Sequence, residues 1–255
     1  SSGMRTVVSM ATKIALSQQK ADLVEKIPTF ADMERTRCSK VVLFDLDGTL
    51  TDPAEGITKS VRHALNAFGI EVPDLKELNR FIGPPLADSF RDFYGMDPGQ
   101  CREAIRVMRE YFSERGIFEN RPYDGIRELL ERLRREGLRL MVATSKPTVF
   151  ACRILEHFGL AEYFEFVGGA ELSGERQAKC EVIRHVLERT GLEPSDRIVM
   201  VGDRRHDVEG ARAGGLGCIG VLYGYGDRDE LERAGAERVV ADLGELERAI
   251  RERVL

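Results

Sequence analysis

From residue 41 onward, short apolar runs alternate with stretches whose apolar residues recur at helical spacing. The runs cover 41–45, 138–144, 164–167, 198–202, 216–222 and, more weakly, 238–240. Between them, Ile126, Leu129, Leu130 and Leu133 precede Gly137, and Ile154, Leu155 and Phe158 precede Gly159. Val182, Ile183, Val186 and Leu187 precede Gly191 in the same way. A glycine after the last periodic residue is a helix stop signal. Strands alternating with helices predict βαβ units around a parallel sheet. Val41-Val42-Leu43-Phe44 is continuously apolar and β-prone, which predicts a strand buried on both faces at the centre of that sheet.

Two parts of the chain break this rhythm. Between Pro53 and Pro122 no buried strand is expected. Ile57, Val61, Leu65 and Phe68 form one helical stripe there, and Ile105, Met108 and Phe112 another, with Phe81-Ile82-Gly83-Pro84-Pro85 punctuating the middle. The interval reads as a helical insertion after the first strand, standing over the carboxyl ends of the strands. Residues 1–38 read as an N-terminal extension. Val7, Met10 or Ala11, Ile14, Ala21, Val24 and Ile27 recur there at loosely helical spacing, and Ser1-Ser2-Gly3 resembles a cloning remnant. The expected division is therefore an extension at 1–38, an α/β core at 39–52 and 123–255, and a helical insertion at 53–122.

Composition narrows the class. A hydrophobic fraction of 42% and a charged fraction of 32% are those of a soluble globular protein. The net charge of −5 supplies no basic excess to neutralise a nucleic-acid backbone. Five scattered cysteines without a CxxC pair fit a reducing compartment better than a disulfide framework or a zinc site. No apolar stretch reaches the roughly 20 residues of a membrane span. These features predict a cytoplasmic protein with neither a nucleic-acid nor a membrane partner; they leave its oligomeric state open.

The chemistry lies at the predicted strand ends, which a parallel sheet brings to one edge. The first strand runs into Asp45-Leu46-Asp47-Gly48-Thr49. The second delivers Thr144 and Ser145, followed by Lys146 and Pro147. The fourth delivers Gly202-Asp203-Arg204-Arg205-His206-Asp207, and Lys179 begins the helix leading to it. Carboxylates, hydroxyls, backbone N–H groups and an ammonium suit a phosphoryl group held beside Mg²⁺, a hard cation that takes oxygen ligands. Positioning and charge neutralisation dominate phosphoryl transfer, and a carboxylate can serve as its nucleophile. A strand-to-helix cap at Thr144-Ser145 and a helix N-cap at Asp207 are the structural alternatives. Arg204, Arg205 and His206 are polar loop residues within reach of a substrate; His63, His157 and His185 fall on helical patterns and read as structural or exposed.

Asp45-Leu-Asp-Gly-Thr49, Val142-Ala-Thr-Ser-Lys146, Lys179 and Gly202-Asp-Arg-Arg-His-Asp207 resemble, in order and spacing, the four motifs of the haloacid dehalogenase superfamily. The resemblance covers roughly residues 40–250. Phe81-Ile-Gly-Pro-Pro-Leu86, Tyr123-Asp-Gly-Ile126 and Gly174-Glu-Arg-Gln-Ala-Lys179 look like its phosphoglycolate phosphatase and 5′-nucleotidase-like branch. The resemblance implies a Rossmann-like α/β core with a small helical cap, and a Mg²⁺-dependent phosphomonoesterase acting on a small phosphorylated metabolite. It implies Asp45 as the nucleophile that becomes phosphorylated and Asp47 as general acid and base. Thr144, Ser145 and Lys179 would bind phosphate. Asp45, Asp203, Asp207 and the backbone carbonyl of Asp47 would bind metal, and Gly83 and Pro84 would shape specificity from the cap. An acid at Asp47 argues against dehalogenation, and neither Lys59 nor Lys76 has the setting of a Schiff-base lysine. A sugar-phosphate mutase, a phosphoprotein phosphatase and a non-catalytic phosphate-binding regulator are the alternatives, with a nucleoside monophosphate and 2-phosphoglycolate the leading substrates.

Overall fold

The computed structural model describes residues 40–254, so the extension at 1–38 and its expected helix lie outside the described residues. Six parallel strands form one sheet in the order β5-β4-β1-β6-β7-β8. They are β1 (Val41–Phe44), β4 (Arg139–Pro147), β5 (Phe166–Ala170), β6 (Ile198–Gly202), β7 (Gly217–Val221) and β8 (Arg238–Val240). After β1 the chain builds outward through β4 and β5, then returns to the other side of β1 for β6, β7 and β8. The reversal opens a crevice outside the carboxyl end of β1, where open α/β sheets bind ligands.

β1 is central because it is apolar on both faces. Val42 and Phe44 join one core layer, with helices α4 (Ile126–Arg135), α5 (Thr148–His157) and α9 (Leu243–Val254). Val41 and Leu43 join the other, with α6 (Lys179–Thr190), α7 (Arg205–Ala213) and α8 (Arg228–Ala234). All four β1 residues are fully buried. The register pairs Phe44 with Val142 on one side and Val201 on the other, so the three strand ends lie abreast.

Two strands differ from the sequence expectation. β4 continues to Pro147 through a register shift between Ala143 and Pro147. β5 sits two residues later than the apolar run at 164–167 and contains Gly168 and Gly169, which dilute the pattern. Those glycines are required by packing. A Cβ at Gly168 would overlap Val186, and one at Gly169 would overlap the Lys146 carbonyl oxygen.

The helical segment contains α1 (Ala54–Ala67), a 3₁₀ turn (Leu75–Phe81), α2 (Leu86–Tyr94) and α3 (Pro98–Tyr111), which runs into a π-turn at Phe112–Gly116. Ile57, Val61, Ala64 and Leu65 bury one face of α1. α3 starts at a capping box in which Asp97 accepts from Gly99 and Gln100 at 2.7 and 2.9 Å. Sequence reading expected no buried strand between Pro53 and Pro122, and the structure has none there among the described residues. The structure adds a short antiparallel pair, β2 (Thr51–Asp52) with β3 (Arg121–Pro122), at the two ends of the helical segment. Two residues per strand are too few to make a readable alternation.

Candidate active site

Asp45 follows β1 directly, and its N–H donates to the Val201 carbonyl at 2.9 Å, as though the strand continued. Beyond it the chain turns tightly. The Leu46 carbonyl accepts from Leu50 and Thr51 at 2.9 and 3.0 Å, and Gly48 donates to Thr51 at 2.8 Å. Gly48 takes a left-handed φ of 84°, and a Cβ there would overlap the Asp203 carboxylate. Glycine is therefore required twice over, by its φ and by the approach of a buried side chain.

Lys179 brings the carboxylates together. It is the first residue of α6 and is 6% exposed. Its ammonium lies 2.8 Å from Asp45 Oδ1 and 2.7 Å from Asp207 Oδ1, and donates to the Ala143 carbonyl at 3.0 Å. Burial alone would lower its pKa, but Asp207 and Asp45 reverse that and raise it. The amine is thus held as a cation. Gly210 on α7 leaves room for the lysine stem, which a Cβ would meet at 2.7 Å.

Oxygens of Asp45, Asp203 and Asp207 lie within 4.8 Å of one another, and all three residues are buried. Asp203 Oδ2 accepts the Tyr225 N–H at 2.8 Å, while its Oδ1 has no protein partner. Burial, then Asp207 and Asp45, push its pKa well above the usual carboxylate range. Asp207 is likewise pushed up, to about 6, by burial, with Lys179 pulling it down and Asp45 raising it. The N-cap of α7 is Arg204 rather than Asp207; Asp207, in the third position of the helix, reaches back so that its Oδ2 accepts the Arg204 N–H at 3.0 Å, while its Oδ1 faces Lys179. Three crowded carboxylates, one with an orphaned buried oxygen, against a single ammonium suit a divalent cation with oxygen ligands. The residues present therefore fit a Mg²⁺ site.

Asp47 points elsewhere. Its Oδ2 lies 2.5 Å from Lys146 Nζ, and its Oδ1 has no partner. Burial raises its pKa, and Lys146 lowers it. Lys146 Nζ also stands 4.8 Å from the Phe112 ring centroid. Sequence reading counted one ammonium and missed this second one. Its signal was its place directly after Thr144 and Ser145, but strand ends carry many exposed lysines. Thr144 is buried, and its Oγ1 accepts the Lys146 N–H at 3.2 Å.

A cleft opens above these groups. Asp45, Asp47, Thr144, Ser145 and Lys146 form its floor. Phe81, Gly83, Pro84, Leu86, Ile105, Met108, Arg109 and Phe112 approach from the helical segment, and Phe150, Glu171 and Gln177 close the sides. Gly83 and Pro84 thus face the groups at the strand ends, across the cleft. Lys179, Asp203 and Asp207 do not line the cleft, but Lys179 lies 2.8 Å from Asp45, which does.

Arg204, Arg205 and His206 do not line the cleft. Arg204 is taken up by Glu230 at 2.9 Å and by the Ile82 carbonyl at 2.6 Å, which ties the loop after β6 to the helical segment. Arg205 is exposed, and burial lowers the pKa of His206. His63 and His157 are exposed beside aromatic rings, and His185 accepts from Arg176 at 3.2 Å.

One further loop escaped sequence reading, and a second, quoted there only for its resemblance, has a structural role. Leu222-Tyr223-Gly224-Tyr225-Gly226 wraps Asp203. A Cβ at Gly224 would overlap Asp203 Cβ and the Gly48 carbonyl, and one at Gly226 would overlap the Asp203 carbonyl. Alternating glycines after a predicted strand were the available signal of close backbone approach. In the loop before Lys179, Arg176 adopts φ 57°, the one left-handed non-glycine among the described residues. Its guanidinium holds the Gly169 carbonyl at 3.0 Å and the Glu171 carboxylate, pinning the loop to the end of β5.

The haloacid dehalogenase-like hydrolase family model matches residues 42–221, the span that holds every group described at this edge of the sheet up to Val221. This chain belongs to that family. A 5′-nucleotidase of Pseudomonas aeruginosa is 49% identical over 209 residues, covering 82% of this chain and 94% of the relative. A tyrosine-protein kinase, PtkA, of Mycobacterium tuberculosis is 44% identical over 214 residues, covering 83% and 72%. Among solved structures, a predicted phosphatase from Clostridium acetobutylicum superposes with a TM-score of 0.82 at 50% identity, covering 84% and 99%. As a haloacid dehalogenase-like hydrolase the chain is an enzyme of the phosphatase type, with the Rossmann-like parallel sheet of the fold. No helix among the described residues is long and apolar enough to cross a membrane.

Proposed function

We propose that this enzyme is a Mg²⁺-dependent phosphomonoesterase that hydrolyses a nucleoside monophosphate through a phosphorylated Asp45. The observation that carries the reading is the division of labour between the two aspartates of Asp45-Leu-Asp47. Asp45 is paired with Lys179 and belongs to the acidic cluster, whereas Asp47 lies outside it against Lys146.

Positioned by the Lys179 ammonium at 2.8 Å, Asp45 attacks the phosphorus, forming its carboxylate O–P bond as the ester O–P bond breaks. Thr144, the Ser145 N–H and the Lys179 ammonium hold the phosphoryl oxygens. Asp47, whose pKa burial raises, gives its proton to the departing alkoxide. It then takes a proton from the water that cleaves the acyl phosphate, releasing inorganic phosphate and restoring Asp45. A bound Mg²⁺, held by Asp45, Asp203, Asp207 and the Asp47 carbonyl, supplies charge neutralisation for the phosphate. The helical segment at 53–122 serves as a cap, with Gly83 and Pro84 facing the leaving group.

The cleft favours a nucleoside over glycolate as the leaving group. Its walls are aromatic and aliphatic, at Phe81, Leu86, Met108, Phe112 and Phe150, which suits a flat ring better than a two-carbon acid. The name of the 49% identical relative supports the same choice. A second reading draws on the relative named a tyrosine-protein kinase: the phosphoryl group on Asp45 would pass to a tyrosine hydroxyl in place of water. The test is phosphate release from nucleoside monophosphates, 2-phosphoglycolate and sugar phosphates, with Mg²⁺ and with EDTA. Nucleotide turnover lost with EDTA and regained with Mg²⁺ is expected. Full activity after thorough chelation, or turnover confined to 2-phosphoglycolate, refutes the reading.

A further inference from the structure

Helix α3 turns one face to the cleft. Ile105, Met108, Arg109 and Phe112 stand at i, i+3, i+4 and i+7, the spacing of a single helical stripe. Three of the four are apolar, and the fourth is an arginine. Arg109 is half-buried, so its guanidinium keeps some contact with water while leaving donors available to a ligand in the cleft. Arg109 donates once, from Nη1 to the Leu172 carbonyl at 3.2 Å, and forms no ion pair with a carboxylate among the described residues. Burial lowers its pKa, and no acid offsets that shift. Its planar fork has five N–H donors, so most are uncommitted. The surrounding walls are ring-shaped surfaces, Phe112 and Phe150 meeting edge to face at 5.4 Å.

We propose that Arg109 is a specificity-determining residue that reads acceptors on the far edge of the substrate's leaving group, the O6/N7 pair of a 6-oxopurine being the pair that matches its fork. The assignment rests on the nucleoside monophosphate reading above. An adenine edge presents an N6 donor where the arginine also donates, so it forfeits one of the two bonds. Phosphate anchored at the strand ends and a base edge held by Arg109 would fix both ends of the nucleotide. A different role for Arg109, closure of the helical segment on the core through Leu172, would affect every substrate alike.

The experiment measures kcat and KM for IMP, GMP, AMP and phenyl phosphate in the wild type, Arg109→Met and Arg109→Lys, with thermal melts of each. Phenyl phosphate keeps the ester and a ring but offers no acceptor beyond the phosphate. The wild type is expected to prefer IMP and GMP to AMP by about tenfold or more. Arg109→Met should lower kcat/KM for IMP and GMP by about tenfold, mainly through KM, erase the preference over AMP, and leave phenyl phosphate within about twofold. Arg109→Lys, which keeps the charge without the fork, should restore little of the discrimination. Equal losses on IMP and phenyl phosphate would assign Arg109 to closure and overturn the proposal, as would a variant with unchanged selectivity. Turnover of phenyl phosphate but of no nucleotide also overturns it, while leaving the phosphatase chemistry standing. No turnover of any ester would sink the function reading itself.

Discussion

Asp203→Asn should make the metal-free protein more stable, not less. Asp203 is fully buried, has an oxygen without a partner, and shares a space 4.8 Å across with Asp45 and Asp207. At that separation and an effective dielectric of about 20, two like charges repel by about 3 kcal/mol. Lys179 faces Asp45 and Asp207, so the single ammonium does not offset the charge of Asp203 directly. Asparagine keeps the shape and an acceptor for the Tyr225 N–H while removing the charge. The native pKa values of Asp203 and Asp207 are raised, so the folded protein binds more protons than the unfolded chain. Stability therefore falls as pH rises from about 4, the unfolded value, through the folded values, about 6 for Asp207. The advantage of Asp203→Asn is accordingly greatest at pH 7.5 and fades toward pH 4. Urea unfolding in EDTA should give a gain of about 2–3 kcal/mol at pH 7.5, and the melting temperature should rise by roughly 5–10 °C. Millimolar Mg²⁺ should stabilise the wild type, as a ligand of the native state must, and leave the variant unmoved. A metal-free variant less stable than wild type at pH 7.5, or a difference independent of pH, would refute the account of the cluster as a charge-strained cation site.

Asp45→Asn should reduce phosphate release on the order of 10³-fold or more while leaving the melt near wild type, because Lys179 keeps Asp207 as a partner; residual turnover near the wild-type rate would remove Asp45 as nucleophile. Lys146→Met removes a cation that lowers the pKa of Asp47. As general acid for the first step, Asp47 must be protonated, so the alkaline limb of kcat/KM should move to higher pH, and a shift to lower pH would contradict that role. Gly224→Ala forces a methyl against Asp203 and the Gly48 carbonyl; it should destabilise by about 1–3 kcal/mol and weaken Mg²⁺ binding by calorimetry, and unchanged affinity would show that the loop tolerates displacement.

Much of this was legible in the sequence because catalysis and strand order are linked. Carboxylates at the end of a buried apolar run stand out, and a parallel sheet fixes where they meet, so Asp45, Asp203 and Lys179 could be placed on one edge before any distance was known. Lys146 could not be assigned that way, because its partner Asp47 lies 99 residues earlier and only the register of β4 beside β1 makes them neighbours. Arg109 escaped because an arginine beside an apolar stripe usually marks the solvent edge of a helix. β5 was displaced in the reading because its two glycines answer to the helix and loop packed on them, a demand that no local pattern records.

The paired strands β2 and β3 carry a consequence for how such an enzyme changes over time. The chain leaves the sheet layer at Thr51 and comes back at Pro122, directly opposite, with Asp52 facing Arg121. Tyr225 reinforces the junction by donating to Asp52. Because both ends meet at a single doorway, the segment between them can lengthen, shorten or be exchanged without altering the register that aligns Asp45 with its neighbours. On the function proposed above, selectivity for the leaving group could thereby be altered, by selection or by engineering, without disturbing the groups proposed for phosphoryl transfer.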